Sequence, residues 1–109
     1  MATAELHARV HDEAGAAVIV LTGDVDRAAE AALDAAYVQA GDAGSIVLDF
    51  SNVSYINSTG IAVIVGLLAK ARANRQTLSA RGLTEHYRQI FEITRLSDFM
   101  TILDGRENE

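Results

Sequence analysis

The sequence predicts an α/β domain, a mixed β-sheet with helices packed against it, in the order β-β-α-β-α-β-α-β. Three observations lead there. Residues 5–11 alternate apolar and polar side chains, as a strand with one wet face does. The runs AVIVLT (17–22) and SIVLDF (45–50) are apolar on both faces, as in strands at the centre of a sheet. Segments with apolar residues at helical spacing separate the later strands, as in a mixed sheet with helices packed on it, and the helix between the second and third strands implies a right-handed crossover with parallel pairing there.

Taken in order, Leu6, Ala8 and Val10 point to one side of the first strand and His7, Arg9 and His11 to the other. DEAG (12–15) turns the chain into the second strand, so the two form a hairpin with the second strand more central. GDVD (23–26) then leads into a helix over Arg27–Ala40, with Asp26 as N-cap and Gly41 as the stop. Ala29, Leu33, Ala36, Tyr37 and Ala40 fall on one stripe of that helix. The third strand, 45–50, is followed by a short polar loop and a helix from about Thr59 to Asn74. Ile61, Ile64, Val65 and Leu68 share the sheet-facing side of this helix, and Val63 and Leu67 lie on a second flank. TLSARG (77–82) reads as a fourth strand, Thr84 as the cap of a helix running to about Thr94 with Tyr87, Ile90 and Phe91 inward, and FMTIL (99–103) as a last short strand.

The 109 residues suit one domain, 1–109, with its core over about 5–103 and a loose polar tail at 104–109. The net charge of −6, with the arginines scattered, gives no basic face for nucleic acid. The one basic island, KARANR (70–75), complements the negative end of its helix. The absence of cysteine excludes disulfides, thiolate catalysis and zinc–thiolate sites. His7, His11 and His86 do not fall at a metal-binding spacing. MATAELHARV lacks the apolar stretch of a signal peptide, and the run from Gly60 to Ala69 is far short of the ~20 residues of a membrane span. A soluble cytoplasmic protein without membrane insertion is the expectation.

Chemistry-bearing residues gather before the second helix, at Asn57-Ser58-Thr59-Gly60. Ser58 fails the G-x-S-x-G pattern of an activated nucleophile, and no G-x-x-x-x-G-K-[ST] or G-x-G-x-x-G phosphate loop occurs anywhere. Two uses of Ser58 fit its place. It can cap the helix by accepting from free backbone N–H groups. It can also carry a phosphoryl group, whose charge of about −1.5 to −2 a helix N-terminus tolerates and a docking partner does not. The Val63 and Leu67 flank likewise has two readings: a helix buried on more than one side, or an apolar docking patch beside Ser58.

These residues resemble a known family. SIVLDF, SNVSYINSTG and IAVIVGLL are similar to the STAS domain of bacterial anti-sigma factor antagonists, and TGDVD (22–26) is similar to the family's first loop after the buried strand. The resemblance covers about 16–103 and implies a STAS-like sheet and a binding module with no catalytic activity and no cofactor or metal. It implies that an anti-sigma factor which is also a serine kinase phosphorylates Ser58, with Thr59 the less favoured acceptor. The unphosphorylated form would bind that kinase and release a sigma factor in stress or sporulation signalling, and a serine phosphatase would reset it. Asn57, Thr59 and Gly60 would belong to the recognised loop, and Asp24 and Asp26 would line the neighbouring surface. The family's usual Asp before the serine is here Asn57, which leaves room for a constitutive scaffold in a transporter ATPase or signalling complex. A nucleotide-binding protein is the third reading, without a phosphate loop to support it. The exposed side of residues 5–11 offers an edge on which a second copy can pair weakly.

Overall fold

The computed structural model describes residues 5–103. It contains β1 (His7–Glu13), β2 (Ala16–Val25), α1 (Glu30–Ala40), β3 (Ser45–Ile56), α2 (Ser58–Ala73), β4 (Thr77–Arg81), α3 (Glu85–Ile93) and β5 (Thr101–Leu103), with short 3-10 turns at Arg27–Ala29 and Leu96–Asp98. The tail at 104–109 lies outside the described residues. The strands lie in the order β1-β2-β3-β4-β5. The hairpin β1–β2 is antiparallel and every later pairing is parallel, as the helical crossovers require.

The hairpin closes through two residues, Ala14 and Gly15, both at positive φ (53° and 89°). Two successive positive φ values match the twist of the flanking strands, which is why so short a loop serves. Period-two alternation then sends Ala17, Ile19 and Leu21 of β2, Ile46, Leu48 and Phe50 of β3, and Leu78 and Ala80 of β4 to one face. Leu33 and Ala36 of α1, Ile64, Leu67, Leu68 and Ala71 of α2, and Phe91 of α3 complete the core on that side. Phe91 meets Phe50 edge to face, 5.8 Å between ring centres. On the opposite face Arg81 bridges Asp49 (3.1 Å) and Glu13 (2.7 Å), which ties the end of β1 to β4. Burial pushes the Asp49 carboxyl up, but hydrogen bonds from Ser51 and the Arg81 guanidinium beside it outweigh this and hold it below its ordinary value.

The far ends of the first two helices are locked by a polar cluster around buried Gln76. Its amide donates to the carbonyls of Gly41 (3.1 Å) and Ala43 (2.8 Å), and it accepts from the Tyr37 hydroxyl. Asn74 donates to the same hydroxyl at 2.7 Å. No buried side-chain polar atom of the cluster is left without a partner, as burial demands. Gly41, at φ 63°, ends α1 as expected.

Three expectations need correction. GDVD is largely strand: Gly23, Asp24 and Val25 continue β2, with irregular register on either side of Thr22–Gly23. The polar tract after Phe50 is also strand, for β3 runs to Ile56 and pairs Asn52 with Thr22 and Ile56 with Val25. This tract pairs with β2 on one side and runs past β4, so its serines and asparagine stay in water while its backbone is paired. The core face of α2 is rotated from the one expected: Gly60, Ile64, Leu67, Leu68 and Ala71 are buried, whereas Val65 is 46% exposed. Leu67, at 2% exposure, is a core residue and cannot form a docking patch; Val63 is half-buried against the core.

Candidate functional site

The paired ends of β2 and β3 set the site. Pairing of Val25 with Ile56 places Asp26 beside Asn57, and the Asn57 N–H donates to the Val25 carbonyl at 3.2 Å. The chain then leaves the sheet and starts α2 at Ser58. Gly60 makes this geometry possible. A Cβ at Gly60 would lie 1.9 Å from the Val25 carbonyl oxygen and 2.6 Å from its carbon, so only glycine lets the first turn of α2 rest on the end of β2.

The cap is Asn57 and not Ser58. The Asn57 Oδ1 accepts from the Gly60 N–H at 2.8 Å and from the Thr59 hydroxyl at 2.8 Å. Extended backbone at Asn57 (φ −100°, ψ −178°) is the ordinary N-cap conformation. Ser58 is the first residue of the helix, is exposed, and takes no part in the cap. Thr59 is exposed as well, but its hydroxyl proton is engaged by Asn57. Replacing Asn57 by Ala should cost about 1 kcal/mol, whereas Asn57→Asp should keep the cap and lose nothing. Urea unfolding of both variants checks this; equal losses would mean that the Asn57 side chain does not hold the helix start.

The two aspartates separate. Asp24 is buried, 7% exposed, within β2, so it does not line an accessible surface as expected. Asp26 is half-buried where β2 ends, and its side chain makes no cap bond to the following turn. It is the carboxylate that stands next to the start of α2.

The sequence did not reveal what α3 adds. Between α2 and α3 runs a groove of 270 Å³, lined by Ile56, Asn57, Ser58, Ile61, Ile90 and Thr94 and mostly apolar. Ile93, on the same helix, is 79% exposed, and Tyr55, at the end of β3, is 52% exposed. The Tyr87 hydroxyl accepts from the Ile56 N–H at 3.0 Å, two residues before Ser58. The one signal for this in the sequence is a tyrosine on an inward face, since a buried phenol seeks a polar partner. Among the described residues no cluster of three metal-ligating side chains occurs, and no helix is long and apolar enough to cross a membrane.

Comparison with known proteins places this geometry in context. The anti-sigma-B factor antagonist of Staphylococcus aureus (strain NCTC 8325 / PS 47) is 38% identical over 64 residues, which span 59% of this chain and 59% of that protein. An anti-sigma factor antagonist from Mycobacterium paratuberculosis superposes with a TM-score of 0.77 at 20% identity, covering 95% of this chain and 90% of the other. The Bacillus cell fate determinant SpoIIAA, solved in its phosphorylated form, gives 0.64 at 21% identity and 93% coverage of each chain. At such identities the superpositions establish a shared fold. The family model described as "Mlab, STAS domain" matches residues 8–104, and with this sheet order and helix placement the chain belongs to the STAS domain family.

Proposed function

We propose that the protein is an anti-sigma factor antagonist, a non-catalytic cytoplasmic domain that acts by binding. In its unmodified state the surface around Asn57, Ser58, Thr59 and Gly60, with Asp26 beside it, docks on an anti-sigma factor that is also a serine kinase. Phosphorylation of Ser58 ends the contact, and a serine phosphatase restores it. The observation that carries this reading is the freedom of Ser58: an exposed hydroxyl at the first position of α2, released from capping by Asn57, on the lip of an apolar groove.

Each part has a physical reason. The groove offers dry surface to a partner, and Ile93 extends the apolar area of α3. A phosphoryl group at the lip would put about two negative charges where the partner must be desolvated. The fold tolerates the same group, since the free N–H groups of the first helical turn favour an anion. The staphylococcal relative bears the name anti-sigma-B factor antagonist, and SpoIIAA has been solved both unphosphorylated and phosphorylated, which supports the assignment of a switch to this fold. One observation favours a second reading, a constitutive scaffold: Asn57 stands where the resembling proteins usually carry Asp, so the acceptor lacks its neighbouring charge.

The deciding experiment is intact-mass and phosphopeptide analysis of the protein purified from its own cells, beside a Ser58→Ala control. One phosphoryl group that maps to Ser58 and is lost in the control is the expected result. The phosphorylated form should bind its partner at least about tenfold more weakly. A chain that carries no phosphate during growth and stress, and whose complexes survive unchanged, would leave Ser58 without a switching role and put the scaffold reading first.

A further inference from the structure

We propose that Tyr87 is a positioning residue for Ser58, holding the end of β3 and the start of α2 in register through the Ile56 N–H. The proposal rests on the reading of Ser58 as phosphoryl acceptor.

β3 has a strand on both sides only over its first half. β4 pairs with Ser45–Asp49, and beyond that point β3 has β2 alone. A backbone donor on the unpaired side must find a partner elsewhere or bear the cost of burial without one. Ile56 is buried, 5% exposed, and its N–H is taken by the Tyr87 hydroxyl at 3.0 Å. The phenol can do this because α3 is itself fixed at both ends of the relevant turn. The Tyr87 N–H donates to the capping Thr84 hydroxyl at 3.2 Å, and one turn later fully buried Phe91 packs on Phe50 of β3. The next peptide after Ile56 is held from the other side, by the Asn57 N–H on the Val25 carbonyl. The two residues before Ser58 are therefore clamped between β2 and α3.

Removing the hydroxyl alone isolates the effect. In Tyr87→Phe the ring and its packing remain, and Ile56 loses its acceptor. Exchange of the three bonded amides at the site, Ile56, Asn57 and Gly60, should rise about tenfold, while exchange at Ile19 and Leu48 in the sheet centre shifts only as far as the unfolding midpoint does. With a purified anti-sigma factor serine kinase that modifies the wild-type chain, kcat for phosphorylation should fall about tenfold with KM nearly unchanged, because docking survives and alignment does not. A purely structural role predicts instead that protection falls in step everywhere and that kcat is untouched, and either result overturns the proposal. If local exchange rises but no serine kinase of this class modifies the wild-type chain, the clamp stands as a structural feature and the acceptor reading, with the functional half of the proposal, fails.

Discussion

Gly60→Ala is expected to destabilise the domain by about 3 kcal/mol or more, at the upper end of what one added methyl does in a packed site. The obstacle is backbone: the new Cβ would meet the Val25 carbonyl at 1.9 Å, and no rotamer change can relieve that. Either α2 lifts from β2 or the end of β2 bends, and both break the hydrogen bond from the Asn57 N–H to the same carbonyl. Alanine's helix preference over glycine, about 1 kcal/mol, opposes the loss and does not cover it. Gly66, in the same helix, has open space around its Cβ position, so Gly66→Ala serves as a control that should gain about 0.5–1 kcal/mol. Urea midpoints of the two variants should move in opposite directions. An unchanged midpoint for Gly60→Ala would show that the end of β2 yields freely, and the site would then be far less fixed than its contacts indicate.

Leu67→Glu should leave the chain unfolded, or collapsed without fixed packing, at neutral pH. Leu67 is 2% exposed and sits among Ile64, Leu68 and the sheet-facing residues of the core. Truncation to Ala there costs about 2–5 kcal/mol, and a carboxylate adds the cost of burying a charge without a partner. Total stability in a domain of this size is about 5–15 kcal/mol, so the sum consumes much or all of it. Val65→Glu, two residues away on the exposed side, should change stability by less than about 0.5 kcal/mol. Near-UV circular dichroism separates the cases. A folded Leu67→Glu protein that has lost only partner binding would return Leu67 to the docking surface.

Leu67 and Val65 show why part of the molecule could be read from the sequence and part could not. The apolar spacing of 59–74 establishes a helix, and Asn57 to Gly60 mark its start, from the chain alone. Which side faces the sheet is another matter. Hydrophobicity favours a face with Val65, yet the buried face includes the small residues Ala71 and Gly60, and at Gly60 the helix lies too close to the end of β2 for any side chain. The same division runs through the site. Ser58 and its neighbours were recognisable as residue types, but the division of labour, with Asn57 capping and Ser58 free, depends on where the first helical residue falls by a single position.

The sequence by itself determined the kind and order of the elements, the parallel crossover from β2 to β3, the stop of α1 at Gly41, the start of α3 at Thr84, and the placing of a hydroxyl at the start of α2, because each follows from local periodicity and local hydrogen bonding. Only the tertiary structure decided that the tract 51–56 is strand, that Asp24 is buried while Asp26 stands at the site, and that Tyr87 reaches the Ile56 N–H across 31 residues. Those outcomes turn on partners distant in the chain. A polar segment pairs if a neighbouring strand is long enough to meet it, and a side chain's surroundings are fixed only once the sheet and helices have closed around it.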